Sequence, residues 1–175
     1  RCDAVRVERT DAGGKATLAT AKMKVRVDLA TGRVAFLDAQ GAGRVIFIAA
    51  GTNATVEYLN LANGVADRMG GGPGGLDAGG VLFVRNANPI LRHLTLFGGT
   101  AYYGGLIYLQ NSTTTLSDST LEAGIGAKGG GVFLRNANVT LRNNTVRSSG
   151  AQDGGGIFLS FSQSLLENNN IQQNS

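Results

Sequence analysis

Apolar residues in this chain fall into columns 25 residues apart. Leu82, Ile107, Val132 and Ile157 share one phase, and Val84, Leu109, Leu134 and Leu159 stand two residues further on. Leu91, Leu116, Leu141 and Leu166 form a third column, and Leu96, Leu121, Val146 and Ile171 a fourth. Alternation at period two is a strand signal, while the three- and four-residue spacing of an amphipathic helix is missing from residues 80–175. Each unit predicts three short strands separated by polar or Gly-rich turns. A fixed period of this length marks a solenoid. Each unit of a solenoid buries its apolar face against its neighbours rather than in a central globule. The predicted fold is all-β, a parallel β-helix with 25-residue coils over residues 45–175. An earlier, looser copy, Val56-Glu57-Tyr58-Leu59-Asn60-Leu61, is offset by 35 from the copy at Leu91. The ten extra residues fit a Gly-rich loop at 62–80, which reads as a flexible excursion.

Coils stacked roughly 4.8 Å apart bring equivalent residues into ladders. Asn86, Asn111 and Asn136 are predicted to form one, their amides bonding to one another and to turn backbone. The doublets beginning at Gly79, Gly104, Gly129 and Gly154 predict a corner needing positive φ or close approach. The column Phe83, Tyr108, Phe133, Phe158 lies between two aliphatic columns. Neighbouring side chains of a strand point to opposite faces, so the rings are predicted to point outward as a contact surface for a partner. That surface would pack on a neighbouring chain, be covered by the N-terminal segment, or receive sugar rings; equally, the rings would merely shield the sheet by stacking on one another.

These repeats resemble the right-handed parallel β-helices of the pectin-lyase-like superfamily. Within it, the Gly-Gly-Gly-Val and Gly-Gly-Gly-Ile starts at Gly129 and Gly154 resemble the repeats of polymorphic outer-membrane proteins and related surface proteins. Their accompanying Phe-x-x-Asn motif survives here only as Ile171-Gln172-Gln173-Asn174. The resemblance covers about residues 45–175 and implies a right-handed coil on an extracellular or cell-surface protein.

Residues 1–44 read as an N-terminal cap, either a hairpin built from Val25–Leu29 and Arg33–Phe36 or a degenerate first coil. The chain stops inside a unit, which predicts that it is a piece of a longer solenoid or that a partner covers its end. No run of 18 apolar residues occurs, so no membrane-spanning helix is expected. The formal charge of +4 lies in residues 1–44, which hold nine Lys/Arg and five Asp/Glu; residues 45–175 hold seven of each. A nucleic-acid binder wants a basic stripe, and that partner class is not expected.

Ligand clusters with zinc spacing are lacking and acids are too scattered for calcium, so no metal or cofactor is expected. Gly124-Ile125-Gly126-Ala127-Lys128-Gly129 spells the dinucleotide fingerprint, but a repeat strand follows it instead of the helix the motif needs. Gly71-Gly72-Pro73-Gly74-Gly75-Leu76-Asp77 approaches the calcium nonapeptide with its Asp one place late. Cys2 is the sole cysteine, which leaves pairing with another chain or a free thiol. Asn53, Asn111, Asn138 and Asn143 head glycosylation sequons, with Asn111 the least suited because its amide belongs to the ladder.

Two functions remain. One is a non-enzymatic structural or adhesive segment, a spacer or a subunit of a surface assembly with protein partners. The other is a carbohydrate-binding or polysaccharide-cleaving β-helix. Cleavage would need paired carboxylates or a base near a cation. The candidates are Asp118 and His93 on one polar column, with Arg92 and Arg142 beside them. The same positions also read as a polar ladder, with Arg142 and Glu167 as opposite charges on adjacent coils.

Overall fold

The computed structural model describes residues 43–175 except Asn53, together with the backbone of four earlier strands. Those four are β1 (Glu8–Ala12), β2 (Lys15–Ala19), β3 (Lys24–Asp28) and β4 (Val34–Leu37). They pair antiparallel in sequence order, so Val25 lies opposite Phe36 in a hairpin arrangement. The strands β5 (Ile46–Ile48), β6 (Thr55–Glu57) and β7 (Asn60–Ala62) follow. Four units repeat that trio. They are β8 (Leu82–Arg85), β9 (Ile90–Arg92) and β10 (Thr95–Phe97); β11 (Ile107–Gln110), β12 (Thr115–Ser117) and β13 (Thr120–Glu122); β14 (Val132–Arg135), β15 (Thr140–Arg142) and β16 (Thr145–Arg147); and β17 (Ile157–Ser160), β18 (Leu165–Glu167) and β19 (Asn170–Gln172).

Three parallel sheets result. The first stacks β5, β8, β11, β14 and β17, and the second β6, β9, β12, β15 and β18. The third runs from β7 through β10, β13 and β16 to β19, and β4 joins it beside β7. Every pairing between the repeated units keeps the 25-residue stride, as in Leu116↔Leu141 and Tyr108↔Phe133. The chain is a parallel β-solenoid of about four turns.

The four aliphatic columns face inward and form one continuous core. Leu91, Leu116 and Leu121 are fully buried, and Leu141 nearly so. Inner residues are covered by the coils on both sides, and those of the last unit have one neighbour only. Leu159, Leu166 and Ile171 are accordingly 39%, 40% and 46% exposed.

Single residues in the left-handed region make the corners. His93, Asp118, Asn143 and Asn168 have φ of 51, 51, 55 and 52° and turn the chain from the second sheet to the third. Asn86, Asn111 and Asn136, at 53, 50 and 46°, leave the first sheet in the same way. Asn and Asp visit this region more readily than other non-glycine residues because their short side chains bond locally. The Asn column therefore reflects backbone conformation as much as amide stacking: Asn111 Nδ2 donates to Asn86 Oδ1 at 2.7 Å, and no such bond links Asn136 to Asn111. At the remaining corner Gly104 has φ +62° and Gly105 sits where a Cβ would stand 2.5 Å from the carbonyl oxygen of Gly130.

Just inside the corners, polar side chains replace aliphatic ones. The Leu94 amide donates to Ser119 Oγ, the Ser119 amide to Asn144 Oδ1 and the Asn144 amide to Asn169 Oδ1, at 2.9–3.0 Å. Asn144 Nδ2 in turn donates to the Leu116 carbonyl at 2.8 Å. A second ladder runs Gly124, Ser149, Asn174 on the same pattern. These side chains satisfy turn amides that the sheets cannot reach, which a buried backbone group requires.

Truncating a core rung leaves a cavity that two flanking coils cannot close. Leu116→Ala or Leu141→Ala is expected to cost roughly 2–5 kcal/mol, measured as a shift in the urea unfolding midpoint at unchanged slope. A loss inside the range of surface substitutions, about 0.5 kcal/mol, would contradict the packing.

Candidate functional site

The aromatic column points away from the aliphatic core, as alternation requires, but it is not an open contact surface. Phe83, Tyr108 and Phe133 are 2%, 0% and 2% exposed, and only Phe158 is partly open. With Phe47 they form a row of rings with centroids 5.1–5.3 Å apart. The chain preceding each first strand doubles back over the row. Ala78, Tyr103, Lys128 and Asp153 stack there through isolated parallel bridges. Tyr103 packs edge-on against Phe133 at 5.0 Å, and Lys128 Nζ lies 5.3 Å from the centre of the Phe158 ring. The rings form a second, smaller core with Ala78.

The Gly-rich segment helps to close this second core and is ordered rather than a flexible excursion. Asp77 accepts the amides of Arg68, Met69 and Gly70 at 2.7–3.0 Å, fixing the loop. The guanidinium of Arg44 lies 4.6 Å from the Phe83 ring centre and donates to the carbonyls of Gly70, Ala78 and Gly79. Burial pushes its pKa down, and the charge of Asp77 opposes that shift. At Gly71 a Cβ would come within 3.0 Å of the Phe83 ring, so the loop lies flat against it.

Asp118 and His93 share the left-handed corner column, on the solvent side of the coil. Asn143 Nδ2 donates to Asp118 Oδ1 at 3.0 Å. The bond from Asn143, then that from Ser117, holds the Asp118 carboxyl below its ordinary pKa, with smaller help from the charges of His93 and Arg142. A general base for neutral pH needs the opposite shift. His93 stacks on Tyr58 at 4.7 Å. Arg92 donates to Glu57 at 2.6 Å and Arg142 to Glu167 at 2.8 Å, each partner on the adjacent coil. The four candidate residues thus lie on one surface, but both guanidiniums are engaged by carboxylates rather than turned toward Asp118.

The same matching recurs elsewhere. Arg147 pairs with Glu122 at 2.8 Å, and Lys128 with Asp153. Beside Glu122, a shallow cavity of about 180 Å³ opens on the outer face of the third sheet, lined by Asn60, Leu61, Ala62, Thr95, Phe97 and Glu122. Among the described residues no group of three or more His, Cys, Asp or Glu comes together. No described helix is long and apolar enough to cross a membrane, which says nothing of strands. Of the sequon asparagines, Asn111 and Asn143 commit Nδ2 to cross-coil bonds, while Asn138 uses Oδ1 to accept the Gln163 amide at 3.1 Å. Asn53 and Cys2 lie outside the described residues.

Three parallel sheets wound at a constant stride, with inner Ser/Asn ladders at their corners, define a β-solenoid. The family described as right handed beta helix region matches residues 79–175, more than half of the sequence, and the chain belongs to it. Comparison with curated proteins and with solved structures returns no match.

The depressed pKa of Asp118 has a pH signature. Its folded pKa lies below its unfolded value near 3.8. Its contribution to stability is therefore complete above that value and is lost as pH falls through the folded pKa. The group is exposed, so the effect is small. Asp118→Asn is expected to lose this small contribution at neutral pH and to converge with the parent as pH falls below about 4, flattening the profile there. A difference from the parent that persists undiminished below the folded pKa, or that appears only in acid, would refute the assignment.

Proposed function

We propose that this chain is a non-enzymatic structural or adhesive segment of an extracellular or cell-surface protein, a rigid spacer or a subunit of a surface assembly. One observation carries the reading: outward charges are matched across coils at the helical stride. Arg92, Arg142, Arg147 and Lys128 each meet a carboxylate of a neighbouring coil. Such pairs contribute little individually at an exposed site, but they fix register and engage the carboxylates of Glu57, Glu122, Asp153 and Glu167, while Asp118 accepts from Asn143. The likeness of the repeats to those of surface proteins supports the location, and protein neighbours in the assembly are the proposed partners.

The carbohydrate reading is favoured by the cavity at Phe97, where a partly exposed ring stands among Asn60, Thr95 and Glu122. A screen against polygalacturonate and esterified pectins, read by unsaturated products and new reducing ends, separates the two. No cleavage is expected. Cleavage that Asp118→Asn abolishes would overturn the non-enzymatic reading. Antibody labelling of intact source cells is expected to reach the chain; labelling only after lysis would overturn its surface location.

A further inference from the structure

One outward column departs from charge matching. On the outer face of the first sheet, two residues beyond the buried rings, stand Arg85, Gln110, Arg135 and Ser160, paired in parallel register. The column contains no acid. Among the described residues neither arginine forms an ion pair, although four other cations of residues 45–175 do. Two coil rises separate the arginines, about 10 Å. Arg85 is exposed and lies over the Phe47 and Phe83 rings, its guanidinium carbon 5.8 and 6.0 Å from their centres. The charge of Arg85 also acts on Arg44 nearby.

Two polar atoms on β11, between the two arginine-bearing strands, lack a hydrogen bond of good geometry. Tyr108, the one hydroxylated ring of a column otherwise made of Phe, has its Oη shut off from solvent without a hydrogen bond of good geometry, and so has Gln110 Oε1. Burial pushes the Tyr108 phenol up, with Arg135 opposing. Unpaired buried polar atoms are costly, and both of these lie on β11, Gln110 in the acid-free column and Tyr108 in the ring column two residues before it. Next to it the exposed amides of Asn86, Asn111 and Asn136 line the corner.

We infer that Arg85, Gln110 and Arg135 form a binding strip for an acidic polysaccharide, with the guanidiniums taking carboxylate or sulfate groups and the corner amides taking hydroxyls. Arginine suits this because its planar fork matches both anions in two parallel bonds. Drawing the two side chains outward onto a ligand would open the Tyr108 hydroxyl and the Gln110 amide to the hydroxyls of the sugar. An extended glycan with one acid per disaccharide offers charges at a similar interval. A nucleic acid fits less well, since duplex binding draws on many phosphate contacts and the other basic groups of the rod are largely neutralised. The strip would serve a surface spacer, but its test does not depend on where the chain resides.

The full chain is passed over immobilised dextran sulfate, polygalacturonate, neutral dextran and duplex DNA in a salt gradient. Binding to an acidic polymer, absent on neutral dextran and weakened by salt, is expected. Arg85→Gln with Arg135→Gln should weaken it about tenfold or more, as befits two lost charge-assisted contacts. The paired-arginine control, Arg92→Gln with Arg142→Gln, should change it less than about twofold. Gln110→Glu keeps both arginines and supplies the acid that the column lacks; it should abolish binding without lowering the melting temperature. Failure to bind either acidic polymer, equal loss in the control pair, retained binding in folded Gln110→Glu, or tighter binding to DNA would each overturn the proposal. None of those results bears on glycan cleavage or cell-surface labelling.

Discussion

Backbone hydrogen bonding from each coil to the next, held at a stride of 25 residues, is the constraint on which everything else here depends. A parallel ladder admits no slippage when one face is buried, because a shift of one residue would turn every inner side chain outward. Once the stride is fixed, whatever sits at one phase must be compatible with itself at about 4.8 Å. Leucines accept this by interdigitating, and rings accept it by stacking. Asparagine accepts it by donating to one coil and receiving from another. Like charges do not, and on three outer columns acid and base stand on adjacent coils. Arg147 above Glu122 and Arg142 below Glu167 are instances of that rule.

The corner residues show how a functional appearance can arise from backbone need. A sharp bend made by one residue here uses positive φ, and the short polar side chains that tolerate it best include Asp, which also performs acid–base chemistry. Asp118 and His93 occupy such a bend together with Asn143 and Asn168. Their shared column is a conformational class before it is a chemical one. The bond from Asn143 that depresses the Asp118 pKa follows from stacking amide against carboxylate at equivalent corners.

The aliphatic columns and the three-strand unit were legible in the sequence because they repeat, and repetition reports the environment that each phase shares. What did not repeat was not legible. The cover over Phe83 comes partly from Arg44 and from the segment around Gly71 and Asp77, which have no counterparts at the stride. Alternation alone correctly aimed the rings outward but could not tell outward from exposed. The inner ladder of Ser119, Asn144 and Asn169 was hidden for another reason: short polar residues beside a corner look like turn residues in solvent. Their strict phase, one step from the positive-φ column and flanked by buried leucines, is the signal that would have exposed them.

The insertion between the unit at Val56 and the unit at Leu91 separates two properties that a globular domain keeps entangled. Ten additional residues lengthen the path of one coil while its strands stay in register with the next. Axial length is thus counted in coils, and the outline is drawn by the connections between strands. A protein made this way can change its silhouette at any one level, by lengthening a single connection, and still present the same features at the same heights along its axis.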